Sequence, residues 1–330
     1  MRGTFIAALI LMMAFVPSNA DNNFMFGLVA YHIPFESYTL YAEDLGRIAE
    51  NGIEWLSVDF AWRLIEPSNG QWDFSYYDFV VQEAEKNGLS IVAKVGNGYN
   101  GNRPVVPEWT KELSDDRYYS EIAEYAREVV ERYAGRISIY AIENEANIYW
   151  IHKTSGWREG KWNREKVFNI WENLSKAVRE TDAEADIVLS LSPSLNWKDW
   201  LDEALGRVYF DVIGIQPYPC LLNSDPELAS NTADTIREAK SYGKEVIVLE
   251  TGYHTGGRSE EDQAIYIEKM CDACINAGAL GVFFYEYLDG PEEREGQEQH
   301  FGLVGNDGTL ESRVPKPAWY AYGQYIASHQ

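Results

Sequence analysis

The stretch that decides the fold is GKEVIVLETGY, at residues 243–253. A glycine able to end a helix is followed by a short run rich in Val and Ile. An apolar run of this length, without polar alternation, is typical of a parallel strand buried on both faces. The run ends in Glu250, so the strand is expected to carry a carboxylate to one edge of its sheet.

The same unit recurs along the chain. A second copy is ISIYAIENEAN, at residues 137–147, and it also ends in carboxylates, Glu143 and Glu145. Eight such runs alternate with amphipathic stretches, and no linker or low-complexity segment separates them. Strands are predicted at 24–31, 54–60, 89–95, 137–143, 186–191, 210–216, 245–249 and 279–285. Helices are predicted at 41–51, 76–87, 116–133, 165–180, 197–205, 233–242, 260–276 and 317–328.

Eight strands that are each followed by a helix predict an α/β fold, a (β/α)8 TIM barrel formed by one domain over residues 21–330. A doubly wound open sheet is the alternative. Such a sheet normally has a Gly-rich phosphate turn after its first strand, and YHIP at residues 31–34 has no glycine. In a barrel, the reactive groups are expected where strands end and the following loops begin.

The first twenty residues are expected to be a signal peptide. Arg2 supplies a positive start, residues 5–16 are apolar, and Ser18-Asn19-Ala20 fits a cleavage site for small residues. The apolar run is short for a membrane span. The sequence therefore predicts a secreted, extracellular protein, with an uncleaved anchor as the alternative.

Composition narrows the classes of partner. The formal net charge is −24, so the chain should repel nucleic acid and anionic membrane surfaces. Strongly anionic polysaccharides are disfavoured as substrates for the same reason. Three cysteines are too few for a disulfide framework, and buried apolar side chains are expected for Cys220, Cys271 and Cys274 rather than a metal site. No metal and no cofactor are expected, and we expect a monomer.

Glu145 and Glu250 would face each other across the mouth of the barrel, because each follows the end of a strand. Two opposed carboxylates are what glycoside hydrolysis needs. One donates a proton to the leaving oxygen and later activates water, whereas the other stays ionised and attacks the anomeric carbon. Held close together, like charges push one pKa upward, which separates the two roles.

Aromatic side chains are frequent in the predicted loops of the same edge. The chain has 11 Trp and 22 Tyr, and sugar rings have apolar faces that stack on aromatic rings. Half or more of these rings are expected simply to cover the tops of helices. The others could line a carbohydrate groove, and the candidates are Trp62, Tyr99, Trp109, Trp150, Trp157, Trp162, Tyr218 and Tyr253.

Several motifs in order give the chain a family resemblance. It resembles clan GH-A, the large clan of retaining TIM-barrel glycoside hydrolases that includes cellulase-, mannanase- and galactanase-like families. The resemblance covers nearly all of residues 21–330. It is carried by DFAWRLIEPSNGQWDFSYYD at 59–78, NE at 144–145, DVIGIQPYP at 211–219, ETGY at 250–253, FGLV at 301–304, DG at 307–308 and PKPA at 315–318.

The resemblance implies a role for each matching residue. Glu145 would be the acid/base and Glu250 the nucleophile of a double displacement, with carboxyl groups ~5–5.5 Å apart. Asn144 would hydrogen-bond the sugar 2-hydroxyl. Tyr218 would donate a hydrogen bond to Glu250. A secreted enzyme of this kind would act on a β-linked glycan such as β-glucan, mannan or galactan, most simply as an endo-acting enzyme.

The sequence also departs from the pattern of the clan. Ala146 stands where a proline is usual, which changes backbone and no chemistry. Ser57 stands where many members have an arginine that supports the nucleophile, and Arg63 is a possible substitute. Tyr285 or Tyr287 would replace a tryptophan at the floor of the sugar site. These departures affect the choice of substrate more than the reaction.

Weaker candidates follow other strands. His32, Asn97, His254 and Glu286 could bind sugar hydroxyls, and Glu143 is an alternative to Glu145 as the acid. Asp289, Asp307 and the acidic run 292–298 are expected to be solvated loop charges.

Three other functions remain open. The first is exo-acting cleavage, because loop closure at one end of a groove cannot be recognised in the sequence. The second is a barrel that binds carbohydrate without cleaving it. The third is a lyase or aldolase, which would need a strand-end lysine such as Lys94.

Overall fold

The computed structural model describes residues 24–30, 37–100, 103–149, 163–194, 196–290, 296–306 and 312–329. Side chains are described in these ranges except at 98–100, 103–105 and 149. The expected signal peptide at 1–20 lies outside them, as do His32, Trp150, Trp157 and Trp162. No helix in the ranges is both long enough and apolar enough to cross a membrane.

Eight parallel strands close into a barrel in which each strand pairs with the next and the last pairs with the first. Each strand lies where the sequence predicts one, and the predicted single-domain (β/α)8 barrel is confirmed. The strands are β1 Met25–Val29, β2 Trp55–Ala61, β3 Ser90–Gly96, β4 Ile139–Ile142, β5 Asp186–Leu191, β6 Val212–Ile215, β7 Glu245–Thr251 and β8 Gly281–Phe284.

Eight helices follow the strands, and their ends agree with the predicted ends within three residues. They are α1 Tyr38–Glu50, α2 Ser75–Lys86, α3 Asp115–Tyr133, α4 Arg164–Thr181, α5 Trp197–Arg207, α6 Thr232–Lys240, α7 Glu260–Ala277 and α8 Pro317–Ala327. Ser37, Ser114 and Ser259 accept backbone hydrogen bonds as N-caps, which explains why three of them begin where they do. Gly278 ends α7 at φ +71°, the left-handed conformation that the sequence predicts there.

The strands have two buried faces. On β2, Leu56, Val58 and Phe60 pack outward into the larger core beneath the helices. A smaller core fills the barrel, and it includes Val29, Val92, Ala141, Val188, Leu249 and Phe283. The near-continuous apolar character of the strands follows from this double burial.

Strand β7 carries a bulge just before its end. Val282 of β8 pairs with Val248, but Phe284 pairs with Thr251, so β7 has one residue more than β8 over this interval. Leu249 belongs to the core inside the barrel, and the side chain of the next residue, Glu250, also reaches across the interior. The bulge therefore breaks the alternation of inward and outward side chains at Glu250, so that two consecutive side chains point into the barrel.

A buried ion pair joins the beginning of the barrel to its end. Arg313, shortly before α8, donates Nε and Nη2 hydrogen bonds to the two carboxylate oxygens of Asp44 in α1, at 2.9 and 2.8 Å. Tyr287, just after β8, donates to the same carboxylate at 2.8 Å. We call this group the Asp44 clasp.

Candidate active site

The segment after β4 delivers three polar side chains to the mouth of the barrel. Glu143, Asn144 and Glu145 follow Ile142 directly, and all three are buried. Glu143 and Glu145 have φ values of +58° and +47°, in the left-handed region that non-glycine residues rarely adopt. Strained backbone of this kind is often found at functional sites.

Glu145 is a buried acid. Burial is the largest influence on its carboxyl group, and the nearby charge of Glu250 acts in the same direction, so that its pKa is raised to about 8. Glu298 also raises this pKa, whereas Lys94 and a hydrogen bond with Ser192 lower it. Near neutral pH the group holds its proton, as a general acid must.

Glu250 is held by one partner at each carboxylate oxygen. Lys94 on β3 donates from Nζ to Oε2 at 2.8 Å, and the Tyr218 hydroxyl donates to Oε1 at 2.7 Å. The Tyr218 contact is the one that the family resemblance implies. Each carboxylate oxygen of Glu250 therefore accepts a short hydrogen bond, one of them from a charged donor.

Asn144 is held through its side-chain oxygen. Its Oδ1 accepts hydrogen bonds from Lys94 Nζ, at 3.2 Å, and from Gln216 Nε2. Gln216 also donates to Ser190 Oγ at 2.9 Å. Because the oxygen faces these donors, the amide nitrogen of Asn144 points away from them.

Glu143 is hydrogen-bonded to Asn97, which follows β3. Its Oε1 accepts hydrogen bonds from the backbone and the side chain of Asn97, at 3.0 and 2.7 Å. Asn97 was expected to bind sugar, but it is fully buried, and Tyr118 donates to its oxygen. Asn97 therefore orients Glu143. Gly96, at φ +152°, is required here, because a Cβ would lie 2.7 Å from the Glu143 Oε1.

The expectation that Trp62 contacts substrate is wrong. Its side chain is fully buried, its indole nitrogen donates to Glu66 at 2.8 Å, and its ring packs against the rings of Trp109, Tyr118 and Tyr125. A ring enclosed in this way offers no face to a sugar. It instead anchors the loop after β2.

The end of β8 corrects four more expectations. Glu286 is only 1% exposed, so it does not line an open cleft. Tyr287 belongs to the Asp44 clasp, so Tyr285 is the one of the two that stays a prediction for the floor of the sugar site. Glu298 was expected to be a solvated charge, but Tyr285 donates to its carboxylate at 3.2 Å. Asp289 is not a free loop charge either, because it accepts a hydrogen bond from Lys316 at 2.8 Å.

The three cysteines are buried, and none forms a disulfide. Within the described ranges, no group of three or more His, Cys, Asp or Glu side chains could hold a metal ion.

With this arrangement established, sequence comparison identifies the family. The sequence model of Glycosyl hydrolase family 53 matches residues 103–286, which is more than half of the chain. The chain belongs to Glycosyl hydrolase family 53. A second model, described as Beta-galactosidase, matches residues 35–110 of the family 53 chain. The clan GH-A resemblance is thereby confirmed.

Several solved structures similar to the family 53 chain are glycosidases. They include a family 39 glycoside hydrolase from Bacteroides cellulosilyticus (18% identity, TM-score 0.70, covering 92% of this chain and 63% of that one). An exo-beta-1,4-mannosidase from an Opitutaceae bacterium has 18% identity and TM-score 0.70, covering 92% and 59%. A beta-glucosidase from Thermotoga maritima has 16% identity and TM-score 0.71, covering 94% and 98%. The chain spans about three fifths of the first two, and the likeness is one of fold.

The site of the family 53 chain contains residues that the sequence reasoning did not assign to it. Lys94, rather than Arg63, forms an ion pair with Glu250. Gln216, Ser190 and Glu298 were not singled out as site residues. A signal existed for Lys94, because it is the only charged residue in the strand SIVAKVG, but a lysine there fits several chemistries.

Proposed function

We propose that this protein is a retaining β-glycoside hydrolase whose nucleophile is Glu250 and whose acid/base is Glu145. The observation that carries the proposal is the contrast between two carboxyl groups at one barrel mouth. The pKa of Glu145 is raised to about 8 by burial and by Glu250. Glu250 is paired with Lys94 and Tyr218. This is the division of roles that double displacement requires.

In the first step, a Glu250 oxygen attacks the anomeric carbon and the glycosidic C–O bond breaks. Glu145 gives its proton to the leaving oxygen, so the departing sugar leaves as a neutral alcohol. The product is a glycosyl ester of Glu250, and Glu145 is left as a carboxylate.

In the second step, the Glu145 carboxylate removes a proton from water while the water oxygen attacks the anomeric carbon. The ester bond breaks and its electron pair returns to Glu250, which becomes a carboxylate again. Two inversions give net retention of configuration. Asn144 fits a hydrogen bond to the 2-hydroxyl of the reacting sugar, because its amide oxygen is already turned towards Lys94 and Gln216.

We propose a neutral β-linked galactan as the substrate among the glycans that the sequence allows. The partial match to the family described as Beta-galactosidase favours galactose over glucose and mannose. The net charge of −24 disfavours anionic polysaccharides. We further propose that the protein is a secreted monomer and that it cleaves within the chain of a polysaccharide. The proposal of secretion rests on the sequence of residues 1–20.

The proposal is tested by hydrolysis of galactan, β-glucan, mannan, xylan and aryl β-glycosides. Wild type is compared with Glu145→Ala, Glu250→Ala and, as a control, Glu85→Ala, whose carboxylate pairs with Arg136 at the surface. Both site variants should lose activity and the control should keep it. Azide should rescue Glu250→Ala and give a glycosyl azide of inverted configuration.

The outcomes separate the alternatives. Activity that persists in Glu250→Ala would overturn the assignment of the nucleophile. Wild-type protein that binds a glycan but cleaves none would favour the binding-only barrel. The size distribution of galactan products distinguishes endo-acting from exo-acting cleavage, since an endo-acting enzyme shortens chains internally before monosaccharide accumulates.

A further inference from the structure

A lysine is buried inside the barrel at the site. The Lys94 side chain is 1% exposed, and it points from β3 across the interior to Glu250 on β7. An ammonium group is costly to remove from water unless charged and polar partners compensate. Because burying the Lys94 ammonium costs free energy, the groups that it contacts must account for a lysine at this position.

Two of the groups that Lys94 contacts have roles in the proposed reaction. Its Nζ lies 2.8 Å from Glu250 Oε2 and 3.2 Å from Asn144 Oδ1. One ammonium group therefore contacts both Glu250, the proposed nucleophile, and Asn144, the proposed ligand of the sugar 2-hydroxyl. Tyr218 holds the other oxygen of Glu250, so the carboxylate cannot rotate without breaking one of two short contacts.

The charge of Glu250 changes during the reaction. It is a carboxylate before attack, a neutral ester in the intermediate and a carboxylate again when water releases the sugar. A fixed cation at 2.8 Å favours the carboxylate. It therefore favours the second step, in which Glu250 is the leaving group, over persistence of the ester.

We infer that Lys94 is a positioning residue that acts through Glu250: it stabilises the departing carboxylate in the second step and fixes Asn144 in the same contact. The inference rests on the proposed function. It predicts that replacing Lys94 causes a kinetic defect that a general loss of structure would not cause. Without the cation the ester intermediate should accumulate, and the second step should limit the rate.

The test uses Lys94→Met with a dinitrophenyl β-galactoside or β-galactobioside. This leaving group departs without a proton from Glu145, so release of dinitrophenolate reports attack by Glu250. We expect a burst of about one dinitrophenolate per enzyme, followed by a kcat about 10²-fold below wild type. KM should fall together with kcat, because the intermediate accumulates.

A second readout is the pH profile. The charge of Lys94 lowers the pKa of Glu145, which Glu250 and Glu298 raise. In Lys94→Met the basic limb of kcat/KM on polysaccharide should therefore move to higher pH. Lys94→Arg retains a cation and should show neither the burst nor the shift. Lys198→Met, at an exposed lysine on α5, is the matched control.

The results distinguish a failure of the inference about Lys94 from a failure of the proposed function. Wild-type kinetics in Lys94→Met, or a lower kcat with no burst and an unmoved basic limb, would overturn the role of Lys94. If Glu250→Ala remains inactive and is rescued by azide, the proposed function stands in either case. If Lys94→Met does not fold, Lys94→Gln keeps a donor without the charge, and the same burst is expected.

Discussion

Glu298 lies in a single helical turn, Gly296–Gln299, and its charge acts on Glu145. Its charge is among the influences that raise the pKa of Glu145 to about 8. In wild type, kcat/KM on polysaccharide should fall above about pH 8, as the acid loses its proton. In Glu298→Gln this basic limb should move to lower pH, opposite to the shift expected for Lys94→Met.

The measurement for Glu298 is a pair of pH–rate profiles, with Glu261→Gln on the exposed start of α7 as the control. A basic limb that stays in place in Glu298→Gln would show that this carboxylate does not act on Glu145. Hydroxyl contacts of Glu298 with the sugar would instead change KM.

The raised pKa of Glu145 also costs stability. Its ordinary value is 4.5 and its value in the folded protein is about 8, so between these pH values the folded protein keeps a proton that the unfolded chain has released. The free energy of unfolding therefore falls as pH rises through this window, by about 1.4 kcal/mol per pH unit from this group. Below the window both states are protonated, and the loss is absent.

Replacing Glu145 should consequently stabilise the protein while it abolishes activity. In Glu145→Gln the gain in Tm over wild type should be larger at about pH 8 than at about pH 5, because only the ionisable residue responds to pH. Thermal denaturation at both pH values measures this difference. An equal gain at both would mean that packing, and not the carboxyl charge, is responsible.

Single residues differ in how well their sequence context predicts their place. Glu145, Glu250 and Tyr218 could be placed because each lies at or just after the end of a strand, and the barrel brings such residues together. Trp62 follows a strand too, yet it turns under the loop and is enclosed by other rings. Its direction depends on packing between distant residues, which the local sequence does not encode. Lys94 could not be assigned for a related reason, since its partner is 156 residues away.

The Asp44 clasp fixes α1 to the segment before α8. Arg313→Ala would remove the closer of two cations from the Asp44 carboxylate, which is only 2% exposed, and leave it the longer contact with Arg47 at 3.4 Å. Because Arg47 still compensates part of the charge, we expect a loss at the lower end of about 3–5 kcal/mol in the free energy of unfolding. Chemical denaturation measures the loss.

The control for the clasp is Arg136→Ala, which removes a pair that is largely open to solvent. It should leave the denaturation midpoint almost unchanged. A small effect of Arg313→Ala, similar to that of Arg136→Ala, would mean that water reaches Asp44 when the arginine is removed. In that event, the barrel would not depend on this link.

The elements themselves were easier to predict than their irregularities. Apolar runs and glycines that end helices located all eight strands and most helix ends, because these signals are local. The bulge in β7 was not predicted, since alternation breaks down within a run that is apolar on both faces. EVIVLET has the same appearance whether or not an extra residue is present, and only pairing with β8 reveals it.

Charge acts on the molecule as a whole. With a net charge of −24, the folded chain repels itself, and the repulsion weakens when salt shortens the range of electrostatic forces. Tm should therefore rise as NaCl is increased from about 0.01 M to about 0.5 M at neutral pH. A scan of Tm against NaCl concentration measures this, with sucrose of equal osmolality as the control. A Tm that is constant or falls would show that local ion pairs outweigh the overall repulsion.

The pairing of β1 with β8 has a consequence for biosynthesis. Met25 lies opposite Gly281, and Asp44 meets Arg313 only after another 269 residues have been made. A ribosome-bound chain that still lacks β8 can form helices and neighbouring strands, but it cannot close the ring. The nascent barrel therefore has an open seam until β8 has left the ribosome. Up to that point the facing edges of β1 and β7 have no strand between them, and both are exposed to pairing with other chains.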